Sequence, residues 1–204
     1  MTPTPRNCII CVTCTPGTGK TRLAKALAKT LSFRYLDLNA LIEEKGWHEG
    51  KDAERDTLIV DERRLSSKVV PLVEDTNVVV DSHLSHFISA KLVALCIVCT
   101  CPLPVLKRRL ERRGYSARKV RENLDAEIFE ICAREAEDSG HKLLIVDTAK
   151  VTVESIVRDI RGMPHETRAS RQGARSERDS RNQRPRRSAP QAGKGRHLIR
   201  GRGA

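Results

Sequence analysis

The stretch CTPGTGKT, residues 14–21, lies between an apolar run, NCIICVT at 7–13, and KTRLAKALAKTL at 20–31, whose apolar residues recur at helical spacing. A strand, a glycine-rich turn and a helix in that order are the context in which the pattern G-x-x-x-x-G-K-[ST] folds as a phosphate-binding loop. Gly17 and Gly19, with Thr18 between them, let backbone N–H groups curl around phosphates at a helix N-terminus. Lys20 reaches the terminal phosphates and Thr21 offers a hydroxyl to magnesium, so the stretch implies ATP and Mg2+ as ligands. Only the first letter departs, with Cys14 where a glycine is usual. If its φ is positive, that residue stores about 1–3 kcal/mol of strain; otherwise it is nearly free. The phosphate-wrapping residues lie further along, so the loop is expected to bind a nucleotide.

Working outward, four more apolar runs follow: FRYLDL at 33–38, NVVVD at 77–81, LVALCIVC at 92–99 and KLLIVD at 142–147. Several read as buried on both faces, as in a parallel sheet. Helical stretches separate them. Ser116 is placed to cap one long helix through ARKVRENLDAEIFEICAREAE (117–137), and TVESIVRDIRG closes on a glycine. The expected fold is therefore α/β, a P-loop NTPase with a five-stranded parallel sheet flanked by about as many helices.

Asp81 ends the buried run VVVD, the position from which a carboxylate holds a magnesium shell through water. His83 follows two residues later and is placed to orient a nucleophile or touch phosphate. His86 reads as structural. In LKRRLERRGYSARKVREN, Arg109 and Arg113 are four residues apart, hence on one helix face just before Gly114, where guanidinium groups can close over transferring phosphates. Arg108 and Arg112 read as a solvated basic face.

The chain has 204 residues, enough for one main core and an appendage. Aromatic residues make up 3%, which excludes a base-stacking platform. Neither a membrane-spanning run nor a secretory leader is evident, and a cytoplasmic protein without membrane contact is expected. Of the 38 Lys and Arg, twelve fall in residues 162–204 against three of the 26 acids, so that segment carries +9 of the net +12. Residues 1–161 read as the folded domain. The segment 162–204 has no Phe, Trp or Tyr and reads as a disordered basic tail suited to RNA. CIICVTC and CIVCTC invite a metal reading, but strand alternation turns neighbouring cysteines to opposite faces, so they read as small core residues.

TPGTGKT, VDSH and RLERRGYSARKVRENLDAEIFE together resemble the adenylate kinase isoenzyme 6 family, over about residues 7–161. The resemblance implies a nucleoside monophosphate kinase-like fold with a monophosphate-binding segment near 37–60 and a short lid near 112–122. It implies that Gly17, Thr18, Gly19, Lys20, Thr21 and Arg22 bind ATP and that Arg113 reaches it from the lid. It also implies a role in maturing small-subunit ribosomal RNA on the pre-ribosomal particle, beside a small-subunit ribosomal protein. Two departures stand out: Cys14, and NALIEEKGWHEG, which offers Lys45 but no arginine to grip AMP. Three functions remain open: an adenylate kinase with ATPase activity, an ATPase-only assembly switch, and a kinase for another small molecule.

Overall fold

A computed structural model describes residues 8–52, 57–73 and 76–162. Five parallel strands form the central sheet: β1 (Ile9–Thr13), β2 (Arg34–Asp37), β5 (Val78–Asp81), β6 (Val93–Thr100) and β7 (Leu143–Asp147), in the order β2-β5-β1-β6-β7. All five runs picked out in the sequence are these strands. A separate antiparallel pair, β3 (Gly50–Asp52) and β4 (Thr57–Ile59), lies in the stretch expected to bind a monophosphate. Its strands are three residues each, too short for an alternating pattern to announce them.

Alternation along β1 divides the core in two. Ile9 and Cys11 face one side with Val78, Val80 and Cys96, packed on α2 (Leu38–Glu44) and α3 (Glu62–Val73) through Ile42, Leu65 and Val69. Ile10 and Val12 face the other side with Val79 and Ile97, packed on α1 (Lys20–Leu31) and α7 (Val153–Gly162) through Leu27 and Ile156. Two helical layers thus cover one sheet, and each fully buried Leu or Ile contributes about 2 kcal/mol of transfer free energy. β1 and β5 are buried along their whole length, which is why their sequences are almost purely apolar.

A smaller cluster, Cys101, Leu106, Leu110 and Val120, joins α4 (Leu103–Arg112) to α5 (Ala117–Ile128). Ser116 caps α5 as expected, its hydroxyl accepting from Lys119 N at 3.2 Å. The single long helix does not form. The chain breaks at Glu130, which adopts a left-handed φ of 54°, and restarts as α6 (Ile131–Asp138). The break lets α6 turn Ala136 and the half-buried Ala133 onto the sheet, which a straight α5 would carry past. It leaves Ile128 and Phe129 exposed at the corner.

Connections leave β1 toward β2 but return from β5 across β1 to β6, so the crossovers diverge at the carboxyl ends of β1 and β5. Open α/β sheets bind ligands at such a point. No helix among the described residues is long and apolar enough to cross a membrane. Residues 163–204, nearly all of the expected basic tail, lie outside the described residues.

Candidate functional site

The phosphate loop runs from the end of β1 into α1 at that point. Gly17 and Gly19 have φ of 95° and 106°, values that L-residues rarely adopt. Space is also short: a Cβ on Gly17 would meet Leu106 Cδ1 at 3.0 Å and Leu110 Cδ2 at 3.1 Å. These two glycines are required by dihedral and by contact.

Cys14 is not among the positive-φ residues, so the strain considered from sequence is absent. Its side chain is 1% exposed and packs with Ile10, Val12, Leu27 and Cys99. The register Thr13↔Val98 brings Cys14 level with Cys99 on the neighbouring strand. Its sulfur also contacts the hydroxyl of Thr18, which itself donates to Thr15 O at 3.0 Å. Burial raises the Cys14 thiol, but a hydrogen bond from Cys99, the Lys20 ammonium and Thr18 outweigh it and hold the thiol below its ordinary value. Cys99 moves well upward, through that same bond and then burial. Cys11, Cys96 and Cys101 are likewise buried core residues.

The loop's carbonyls are tied outward. Arg109 Nη1 donates to Gly17 O at 3.2 Å and to Thr18 O at 3.1 Å. From the far edge of the sheet, the Thr148 hydroxyl donates to the same Thr18 O. These bonds hold the loop from behind, and within it Thr18 N donates to Thr15 O at 3.4 Å. α1 begins at Gly19 with no side-chain cap and no acidic residue in its first turn, whereas α2 is capped by Asp37 Oδ1 on Ala40 N at 3.1 Å. An uncapped helix start with the dipole's positive end is an anion site. Lys20 is half-buried, and Thr21 and Arg22 are exposed on that first turn.

Asp81 stands opposite Val12 at the end of β5, where the sequence placed it, and is 2% exposed. Its Oδ2 accepts from the Tyr35 hydroxyl at 2.9 Å, while Oδ1 is buried with no partner among the described residues. His83 is exposed at its surface position; partial desolvation and then the Lys20 charge lower its imidazole pKa to about 4, so it is neutral at pH 7. Lys20, Asp81 and His83 are thus gathered at one edge.

His86 is 1% exposed, its Nδ1 2.8 Å from Thr13 Oγ1 and its Nε2 3.1 Å from Glu135 Oε2. A neutral ring that accepts from Thr13 and donates to Glu135 satisfies both contacts, in keeping with its structural reading.

Arg113 ends α4 and is exposed, with no side-chain hydrogen bond or ion pair among the described residues. It shares a helix face with Arg109, but only Arg109 touches the loop.

Four contacts were not read from the sequence. Tyr35 holds Asp81, Thr148 straps the loop, and Ser82 Oγ donates to Asn39 Oδ1 at 2.7 Å, tying α2 to the end of β5. The fourth is that of Glu127, which accepts from Cys101 N at 3.1 Å and whose carboxylate is favoured by the nearby Thr15 hydroxyl, so α5 lies beside the loop. Burial raises its carboxyl above the usual range.

A family model described as an AAA domain matches residues 10–130. A Thermococcus gammatolerans protein named for adenylate kinase is 40% identical over 152 residues, 74% of this chain and 82% of its own. The adenylate kinase isoenzyme 6 homolog of Dictyostelium discoideum is 32% identical over 145 residues, 71% of this chain and 83% of its own. Among solved structures, shikimate kinase from Acinetobacter baumannii superposes with a TM-score of 0.51 over 76% of this chain and 90% of that one, at 16% identity, a likeness of fold. A phosphate loop with outward-tied carbonyls, an aspartate at the next strand's end and these relatives agree: the chain belongs to the adenylate kinase isoenzyme 6 family and has the P-loop nucleotide kinase fold.

Proposed function

We propose that this protein transfers the terminal phosphoryl group of ATP to AMP, giving two ADP, and hydrolyses ATP more slowly when water takes the acceptor's place. The observation that carries the reading is the uncapped start of α1 with its loop carbonyls tied away, beside the unpartnered Oδ1 of Asp81. The relatives' names support adenylate as the substrate class.

Loop N–H groups and the half-buried Lys20 bind the β- and γ-phosphates and hold them for in-line attack. Neutral His83 orients the incoming nucleophile. Arg113 swings onto the γ-phosphate from the lid, residues 112–122, and Arg22 assists from the first turn of α1. Arg109 Nη1 braces the loop, and its guanidinium adds positive charge beside it. The segment 37–60 receives AMP, with Asn39 fixing α2 against β5.

The donors present fit a magnesium ion. Asp81 Oδ1 is a buried carboxylate oxygen without a partner and Thr21 adds a hydroxyl. Magnesium would keep several of its waters and take other ligands from phosphate. Thr21 would hold it directly and Asp81 through water; when bound, it neutralises charge on the β- and γ-phosphates.

We further assign the protein to small-subunit ribosomal RNA maturation, beside a small-subunit ribosomal protein on the pre-ribosomal particle, with residues 162–204 contacting RNA. That reading rests on the family resemblance and on the +9 charge of the segment. A second reading, an ATPase-only switch or a kinase for another small acceptor, is favoured by the stretch NALIEEKGWHEG, which has no arginine to grip AMP and whose Lys45 pairs with Glu44 at 2.9 Å. Chromatography of nucleotides after incubation with ATP, with and without AMP, tests the choice. Two ADP should form per ATP consumed when AMP is present, and Lys20→Ala should slow both reactions roughly 100-fold or more. ADP formation indifferent to AMP selects the second reading, and near-normal turnover of Lys20→Ala removes both.

A further inference from the structure

Among the described residues, one side chain holds Asp81. Its Oδ2 accepts from Tyr35 at 2.9 Å, and its Oδ1, equally buried, has no partner among the described residues. Strand register does not put the two residues opposite each other: Tyr35 is level with Val79, and Asp81 with Asp37. The phenol therefore leans two residues along the sheet toward its carboxyl edge. Its ring is seated to do so, half-buried in the cluster beneath α1, with Lys25 Nζ 5.3 Å from its centroid. Asp37, the other carboxylate at that level, is already committed to the cap of α2.

We infer that Tyr35 is a positioning residue for the nucleotide-bound cation: by donating to Oδ2 it fixes the Asp81 carboxylate so that Oδ1 alone faces the cation's water shell. A buried carboxylate with one oxygen committed has one orientation, whereas with neither committed it turns about its Cβ–Cγ bond. Burial, and then the hydrogen bond and charge of Asp81, raise the phenol's pKa, so Tyr35 remains a donor at every working pH. Partners that orient a metal-facing ligand from behind typically change affinity 10–100-fold when removed. The inference rests on the reading of Asp81 as facing magnesium.

The test uses Mn2+ as probe, with free ion followed by electron paramagnetic resonance in the presence of full-length protein and ADP. Tyr35→Phe keeps the ring in its packing and removes only the hydroxyl. It should bind Mn2+ about 10-fold more weakly, with ADP affinity in the absence of metal within about twofold of wild type. Asp81→Asn serves as reference. If Asp81→Asn is weakened and Tyr35→Phe is not, the inference falls alone; if Asp81→Asn matches wild type, the metal-facing reading of Asp81 falls and takes the inference with it. A second measurement does not depend on Tyr35→Phe folding. The chain has two tyrosines, Tyr35 and Tyr115. In Asp81→Asn the tyrosine ultraviolet resonance Raman doublet at neutral pH should report a changed hydrogen bond at one phenol, and an unchanged doublet overturns the contact.

Discussion

Restoring the usual glycine at position 14 should weaken the fold and leave the nucleotide site intact. Cys14 has no positive φ to relieve, and its side chain is buried between β1, α1 and Cys99. Cys14→Gly deletes one methylene and a sulfur from a 1% exposed position, about 1–1.5 kcal/mol in transfer free energy. The freer glycine backbone adds about 0.5–1 kcal/mol, and the unfilled space a little more. Thr18 loses one contact but keeps its bond to Thr15 O, so no hydroxyl is orphaned. The total is about 2–3 kcal/mol, a fall of about 5–10 °C in melting temperature for a domain of this size. Gly17, Gly19 and Lys20 are untouched, so ATP affinity should stay within about threefold. Calorimetric melting and ATP titration of wild type, Cys14→Gly and Cys14→Ala decide it, the alanine variant losing about half as much. A glycine variant as stable as wild type would show that Cys14 is strained after all. A tenfold loss of ATP affinity with unchanged melting would make the thiol part of the binding site.

Two further outcomes follow from contacts described above. Arg109→Gln removes two charge-assisted bonds to loop carbonyls, and should lower stability by about 2 kcal/mol and ATP affinity about 10-fold. Arg113→Gln, without a partner among the described residues, should leave melting unchanged while slowing transfer; equal melting shifts in the two variants would refute the division of roles. Stability should also fall with acidity. Burial, then the charges of His141 and His83, hold His86 down to about 4, below the unfolded value near 6.5, so between those pH values the unfolded chain binds more protons. The contribution of His86 is then level above pH 6.5 and declines by up to about 3 kcal/mol as pH drops toward 4. His86→Gln should flatten part of that decline in melting scans from pH 7 to 4.5, and an unchanged slope counts against a neutral buried ring.

What could be read from the sequence was what one short stretch determines by itself. The glycines of the loop, Lys20 and the buried strand ending in Asp81 announce themselves through dihedral need, spacing and apolar runs. Ser116 was visible because a cap lies three residues from the N–H it accepts from. Tyr35, Thr148 and Glu127 were not, because each acts across a fold-dependent contact: Tyr35 is 46 residues from Asp81, and Thr148 is 130 from Thr18. A tyrosine in a strand ending level with Asp81 was the one available hint. The break at Glu130 was hidden for another reason. Ile128, Phe129 and Ile131 continue a helical spacing, and neither glycine nor proline marks the turn, so only packing on the sheet decides where the helix stops.

The straps of the phosphate loop come from α4 and the residue after β7, both encoded well downstream of it. A ribosome making this chain therefore releases the loop more than a hundred residues before its last strap. Until Thr148 has emerged and β7 has paired with β6, Thr18 O lacks one of its two anchors and the glycines have no fixed frame. The nucleotide site is consequently among the last features to become native during synthesis. A chain cut short before residue 148 carries the complete motif, yet not the tension on its carbonyls that turns the motif into a receptor.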